Sequence, residues 1–191
     1  MSSQRLFIGV DLPPSAKEEC QRISQRLKKT GADVKWVEEA NFHVTLKFLG
    51  DVEERRIPEV TAGCEAVSRV QSAFTFSLSG LGAFPSVTAP RTLWIGVQAP
   101  GTTFPCLAQR LEEALGALGF EKEKRAFHPH VTIGRVRSPR NRVHLIAALH
   151  QQTQDVSVPG LPAQTVTLFK SDLTPRGAIY TALAALPLAA P

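Results

Sequence analysis

The sequence predicts an α+β fold made of two similar lobes, with sheets lining a central groove and helices on the outer faces. Three observations carry that expectation. Segments with the two-residue period of half-buried strands alternate along the chain with segments of helical period, which excludes an all-helical bundle. Apolar residues within the strands fall on one face, as in sheets covered by helices on one side. One short pattern, His-x-Thr-apolar, occurs twice in similar strand settings, as His43-Val44-Thr45-Leu46 and His130-Val131-Thr132-Ile133.

Arg5 to Asp11 reads as the first strand. Pro13-Pro14 breaks it, and Ser15-Ala16-Lys17-Glu18 has the form of a capping box opening a helix with Ala16, Cys20, Ile23 and Leu27 on one side. Lys28, Lys29 and Gly31 close that helix. Strands follow at Val34 to Val37 and Phe42 to Leu49, then a helix bearing Ile57, Val60, Cys64 and Val67 on one side. Phe74, Phe76 and Leu78 alternate with Thr75 and Ser77 as a half-buried strand. The Gly- and Pro-rich stretch Gly80 to Arg91 reads as a loop leading to a strand at Thr92 to Val97. Phe104, Leu107, Leu111, Ala114, Leu115 and Leu118 mark the next helix. A strand from His130 to Val136, a helix from about Asn141 to Gln151, and strands near Thr165 to Lys170 and Ala178 to Leu183 complete the chain. Gly and Pro are dispersed, with no linker or low-complexity tail, so residues 1–191 are expected to form a single bilobal domain.

A chain that is 43% hydrophobic and 20% charged excludes disorder. The longest nearly uncharged apolar stretch, Ile179 to Ala190, is shorter than the ~20 residues of a membrane span and is interrupted by Pro187. Leu6 to Val10 is too short for a signal-peptide core, so neither membrane anchoring nor export is expected. Cys20, Cys64 and Cys106 are odd in number and form no Cys-x-x-Cys pair, which points to a reduced cytoplasmic setting. Each falls in a helical segment, where buried packing is expected. The formal charge of +5 favours acidic partners, RNA and small phosphates among them, without choosing between them.

Side chains alternate across a strand, so His43 and Thr45 share one face while Phe42, Val44, Leu46 and Phe48 share the other. His130 and Thr132 likewise stand together, opposite Val131 and Ile133. The apolar residues already supply a buried face, which leaves each His and Thr on the accessible one, presented to a shared cleft. Imidazole, with an ordinary pKa near ~6.5, allows one copy to be neutral and the other protonated. Such a pair can deprotonate an attacking water and protonate a departing alkoxide, the two acts that phosphodiester hydrolysis needs. The hydroxyls of Thr45 and Thr132 can donate to the non-bridging phosphate oxygens between the rings. No metal is required to generate the nucleophile. His128 shares the parity of His130 and reaches the cleft edge if the strand geometry persists through Pro129. His144 and His150 fall in a helical segment, where packing or solvent exposure is expected. A zinc site built from His43, His128 and His130 lacks an acidic ligand or a fixing motif.

At this point the chain resembles the two-histidine phosphoesterase superfamily, and within it the bacterial and archaeal RNA 2′,3′-cyclic phosphodiesterases, historically called 2′-5′ RNA ligases. Arg5-Leu6-Phe7-Ile8-Gly9-Val10-Asp11-Leu12-Pro13 resembles the opening strand. Trp36-Val37 with Asn41-Phe42-His43-Val44-Thr45-Leu46-Lys47-Phe48-Leu49-Gly50 resembles the first motif, and Phe127-His128-Pro129-His130-Val131-Thr132-Ile133-Gly134-Arg135 the second. Leu168-Phe169-Lys170-Ser171-Asp172-Leu173-Thr174-Pro175-Arg176-Gly177 resembles the closing segment. Phe42 stands where many relatives carry Leu, and Ile133-Gly134 where many carry Leu-Ala. The resemblance implies a two-lobed α+β fold with largely antiparallel sheets, no required cofactor, and RNA ends or nucleotides bearing 2′,3′-cyclic phosphate as partners. No obligate protein partner is indicated. It further implies roles: His130 as general base for water, His43 as general acid to the ribose O3′, and Thr45 and Thr132 as phosphate ligands, leaving a 2′-phosphate.

Arg135 matches the family's arginine after the second motif, where a permanent charge can bind phosphate or the transition-state oxyanion. Simple alternation puts it opposite His130, so its access to the groove requires the strand to twist or end at Gly134. The cluster Arg135, Arg137, Arg140 and Arg142 reads either as a track for RNA backbone or as a solvated surface. Phe7, Phe84, Phe127 and Tyr180 are aromatic candidates for base stacking, though strand aromatics more often belong to a core. Two rivals to hydrolysis remain: reversible 2′-5′ joining of RNA ends in the same site, and a non-catalytic RNA-binding groove.

Overall fold

The computed structural model describes residues 2–175 and 177–190. Arg176 of the closing segment lies outside the described residues. In chain order the elements are β1 (Ser3–Asp11), α1 (Pro14–Lys28), β2 (Val34–Trp36), β3 (His43–Glu53), α2 (Ile57–Val70), β4 (Phe74–Ser86) and β5 (Ala89–Gln98). They continue with α3 (Thr103–Ala117), β6 (His130–Val136), α4 (Arg142–Gln152), β7 (Ser157–Ala163), β8 (Thr165–Leu173) and β9 (Ala178–Pro187).

The strands run in the order β7-β4-β5-β6-β3-β1-β8-β9, with β2 attached to β6, and all the strand pairings are antiparallel. Two four-strand halves meet at the centre, where β3 and β6 pair through Val44 and Val131. The expected lobes are therefore hydrogen-bonded into one sheet. The halves exchange helices: α1 follows β1 but packs on β6, whereas α3 follows β5 but packs on β3. α2 covers β8 and β9, and α4 covers β4. A contiguous apolar core joins both halves beneath these helices, from Leu6, Ile8 and Val10 through Val44 and Val131 to Leu107 and Leu145.

Several sequence expectations are corrected. α1 begins at Pro14, with Pro13 as its extended N-cap and no side-chain cap, so Ser15 to Glu18 form no capping box. Proline suits the first helical turn, because the N–H it lacks has no intrahelical partner there. The loop expected over Gly80 to Arg91 is instead a hairpin, with β4 running to Ser86 and β5 starting at Ala89. Its glycines are strand residues with local reasons. Gly80 turns through a positive φ of 73° at a register shift, and a Cβ on Gly82 would lie 2.2 Å from the Trp94 ring packed over it. β7 is not among the expected strands because its sequence, SVPGLPA, contains two prolines; as an edge strand pairing with β4, it tolerates them. Cys20 and Cys64 are buried as expected, but Cys106 is exposed on α3. No helix among the described residues is long and apolar enough to cross a membrane.

Lys47 is the largest departure from simple alternation in the core. β1 pairs Ile8 with Lys47 and Gly9 with Thr45, so Leu46 is an extra residue that bulges the strand and turns Lys47 toward the helices. There it is 4% exposed. Its ammonium donates to Glu112 Oε2 of α3 at 2.6 Å and to the Glu121 carbonyl at 2.7 Å. A buried pair of this kind adds little net stability, but losing one partner strands a charge. Glu112→Ala should therefore lower unfolding stability by about 3 kcal/mol, and the double variant Lys47→Met/Glu112→Leu should recover at least half of that loss in urea denaturation. A double variant no more stable than Glu112→Ala would contradict the stranded-charge account.

Candidate active site

Both motif histidines open a strand, and both are fixed in the same way. The Nδ1–H of His43 donates to the carbonyl of Asn41 at 2.8 Å, and the Nδ1–H of His130 donates to the carbonyl of His128 at 2.6 Å. In each case the acceptor lies two residues upstream, and the bond leaves Nε2 as the free ring nitrogen. A 3-10 turn over Glu39–Asn41 holds the first carbonyl, and the Asn41 amide donates to Ala178 O at 2.7 Å, tying this turn to the β8–β9 hairpin. The Thr45 hydroxyl lies 2.8 Å from His43 Nε2, oriented to donate to a neutral imidazole.

The Val44–Val131 pairing sets the two motifs in antiparallel register on the face turned away from the helices. Counting one residue outward puts His43 across from Thr132 and Thr45 across from His130. An anion over this junction would meet an imidazole and a hydroxyl from either side. The candidate set His43, Thr45, His130 and Thr132 is thus brought together by one strand junction.

The bulge that turns Lys47 inward is duplicated. β5 pairs Trp94 with Thr132 and Leu93 with Gly134, which makes Ile133 the extra residue of β6. Parity reverses after each motif, so the third residue beyond each threonine returns to the histidine face. In β6 that residue is Arg135, which pairs with Thr92 and lies 3.4 Å from its hydroxyl. The expectation that Arg135 faces away from His130 is corrected, and the cause is the bulge rather than an end of the strand. In β3 the equivalent residue is Phe48, expected on the packed face but 63% exposed beside Phe7, with ring centroids 6.0 Å apart.

Aromatic side chains wall each histidine. Phe7 lies 4.7 Å and Tyr180 5.3 Å from the His43 ring, with Phe169 stacked on Phe7 at 5.0 Å. Across the junction, Phe84 meets the His130 ring edge-on at 5.0 Å and Trp94 lies 6.3 Å away. Of the aromatic candidates, Phe7, Tyr180 and Phe84 line the histidines, whereas Phe127 packs against the core. Trp94 and Phe169 are not among the sequence candidates. The alternation of Leu93, Trp94 and Ile95 is sufficient to place Trp94 on the histidine face. A cavity of about 390 Å³ extends from His130 and is lined by Phe84, Trp94, Ser79, Gln98 and His128. His128 thus reaches the cleft edge, while His144 and His150 are exposed on α4. Among the described residues no three His, Cys, Asp or Glu side chains cluster as metal ligands, so the zinc alternative of His43, His128 and His130 is not assembled.

Burial governs the electrostatics. It pushes the His43 imidazole down from its ordinary 6.5 to about 4, opposed by the Asn41 hydrogen bond and by Asp11 and reinforced by the charges of Lys17 and His130. His130 is also lowered, first by burial and then by the charges of His128 and Arg135, against its hydrogen bond to the His128 carbonyl. Burial raises the Tyr180 phenol, a shift opposed by Arg135 and Arg5. The charge of Arg135 thus acts on residues of both halves, His130 and Tyr180. Without an anion, both imidazoles are neutral at pH 7.

Comparison with known proteins places these features in a wider group. The family model for LigT-like phosphoesterases matches residues 10–94 and 97–180, two stretches of nearly equal length that divide the chain between its motifs. The RNA 2′,3′-cyclic phosphodiesterase of Methanothermobacter thermautotrophicus is 40% identical over 177 residues, covering 93% of this chain and 95% of its own. That of Aeropyrum pernix is 36% identical over 162 residues, covering 85% of this chain and 90% of its own. Among solved structures, TT0787 of Thermus thermophilus superposes with a TM-score of 0.78 at 27% identity, over 97% of this chain and 98% of that one. E. coli LigT complexed with 3′-AMP superposes with a TM-score of 0.74 at 25% identity, over 98% and 99% of the two chains.

The depressed pKa of His43 makes stability depend on pH. As pH falls below 6.5, the unfolded chain takes up a proton that folded His43 refuses until about pH 4, so this contribution is complete above 6.5 and is lost as pH falls through 4. Urea midpoints at pH 7 and pH 4 should therefore differ less in His43→Gln than in the wild type. Equal differences in the two proteins would show that His43 titrates normally.

Proposed function

The chain belongs to the LigT-like phosphoesterase family, and from that premise we propose that it hydrolyses the 2′,3′-cyclic phosphate of an RNA or nucleotide end to a 2′-phosphate. His130 serves as general base and His43 as general acid, without a metal. The observation that carries this reading is the paired presentation of the imidazoles, each with Nδ1 committed to a carbonyl two residues upstream and Nε2 turned to the groove, where the Thr45 hydroxyl meets that of His43, on strands in register through Val44 and Val131.

The reaction runs as an in-line displacement. Nε2 of His130 takes a proton from water as its oxygen bonds to phosphorus. The phosphorus–O3′ bond breaks, and Nε2 of His43 gives its proton to O3′, leaving phosphate on the 2′ oxygen. His130 ends protonated and His43 neutral, and exchange with solvent resets them. The Arg135 charge helps to keep His130 unprotonated as a base must be, and its guanidinium can neutralise charge developing on the non-bridging oxygens. Thr45 and Thr132 donate to those oxygens.

A neutral His43 cannot be an acid, and the substrate supplies the remedy. A phosphodiester anion between the rings favours the imidazolium, raising the pKa of His43 in the complex. The Thr45 hydroxyl, which meets Nε2 in the free protein, then becomes available to a phosphate oxygen. We further place the protein in the cytoplasm, a setting that suits its three free thiols, two of them held inert as burial pushes Cys20 and Cys64 up to about 12.

The test is a product assay with an RNA bearing a terminal cyclic phosphate in excess chelator. The expected product is the 2′-phosphate, and His43→Ala and His130→Ala should each lose roughly 10²-fold or more in turnover. A 3′-phosphate product would reverse the role assignment, and full turnover in both variants would remove histidine catalysis. Charging of His43 by substrate has its own signature. The alkaline limb of kcat, which reports the complex, should lie at higher pH than that of kcat/KM, by about one unit or more. Coincident limbs would contradict it.

A further inference from the structure

Beyond Arg135, the histidine face of β6 meets β2, and the register sets Lys35 directly opposite Arg135. Opposed residues of an antiparallel pair share a face. The flanking residues Val34, Trp36 and Val136 pack against the core, which puts Lys35 and Arg135 on the opposite face, with the histidines. Arg137, two residues on, extends the row; Asp33 enters there by its backbone carbonyl, which accepts the Arg137 N–H at 2.9 Å. Lys35, Arg135 and Arg137 are exposed, and none belongs to an ion pair found among the described residues.

Two cations opposed across a ladder repel each other, a local cost that a bridging anion relieves. Among the described residues, the other half of the sheet has no such opposed pair of cations, Arg5 beside Tyr180 facing Asp51 instead. Its position equivalent to Arg135 is Phe48, and Lys47 beyond the bulge is buried against Glu112. Among the described residues, the opposed cations of the reactive face thus lie on one side of the catalytic junction, and the row begins at a residue whose charge already acts on His130.

We propose that Lys35 and Arg135 together hold the phosphate next to the reacting one, so that an RNA strand leaves the site over the β6–β2 edge and any preference for it over a free cyclic nucleotide comes from this contact. Arg135 is shared between the two phosphates, and Lys35 belongs to the second. The substrate preference rests on the cyclic-phosphate reading; the binding of RNA at this edge does not.

The experiment measures binding first, by fluorescence anisotropy of a labelled tetra-adenylate ending in 2′-phosphate, across a range of salt concentrations. Lys35→Gln, at an exposed position, should weaken binding about 5-fold or more, with the salt slope shallower by about 0.7, as for one lost contact to single-stranded nucleic acid. Turnover is measured next on tetra-adenylate 2′,3′-cyclic phosphate and on adenosine 2′,3′-cyclic monophosphate. In Lys35→Gln the ratio of kcat/KM for the tetranucleotide to that for the mononucleotide should fall by a similar factor. Unchanged affinity and salt slope would overturn the proposal, as would an equal loss on both substrates. Wild-type protein that binds the strand through Lys35 but hydrolyses neither substrate would sink the hydrolase reading and leave the RNA edge in place.

Discussion

The chemistry of this protein depends on the short contact between β3 and β6, where Val44 meets Val131. Those two valines are fully buried, so their backbones cannot rotate to expose them without opening the core. With the valines committed inward, alternation commits His43, Thr45, His130 and Thr132 outward. A slip of one residue would exchange the faces, placing imidazoles in the core and valines in the site. Core packing and site assembly are therefore one constraint, and the exchanged helices α1 and α3 reinforce it by clamping each half against the other's motif strand.

The same burial sets the protonation of the site. Aromatic rings around His43 lower its basicity, and burial with nearby positive charge lowers that of His130. Two histidines kept neutral by burial, and only oriented by their carbonyl hydrogen bonds, cannot act as acid and base until something distinguishes them. Thr45 already does so in part, occupying His43 Nε2 with a hydroxyl. Arg135 adds a second distinction by biasing His130 against a proton. On the proposed mechanism, a substrate that brings one negative charge completes the asymmetry and readies the acid only when there is a bond for it to break.

The repeated His-x-Thr pattern and the alternation around it made the fold class and the four central side chains legible in the sequence. What alternation could not give is any position beyond a bulge. Leu46 and Ile133 look like ordinary apolar strand residues, yet each adds one residue to its strand, and with that the faces of Lys47, Phe48 and Arg135 all reverse. The Gly80 to Arg91 hairpin was hidden for a related reason. Its glycines signal a turn locally, whereas Gly82 is required because Trp94 of the partner strand lies across it, a contact set by strand pairing rather than by neighbours in sequence. Lys35 is silent in the sequence because nothing near it carries chemistry; its significance comes from pairing with Arg135, far along the chain.

Duplication gives two equivalent frames that differ in what surrounds each histidine. At the position following the bulge, one frame carries Phe48 and the other Arg135. At the next strand outward from the junction, Phe7 stands where the other half has Thr92, and the phenyl ring packs on His43 while the hydroxyl meets Arg135. Both histidines are walled by aromatic rings, but His43 is the more deeply shielded, whereas His130 opens to a cavity and is flanked by a fixed positive charge. Burial lowers both rings, and it takes the shielded one down to about 4, so an incoming anion has the larger shift to offset at His43. The open ring faces a cavity, which suits the base role proposed for it. The proposed division of labour between acid and base matches this difference, one half placing Phe7 and Phe48 where the other places Thr92 and Arg135 around the same His-x-Thr core.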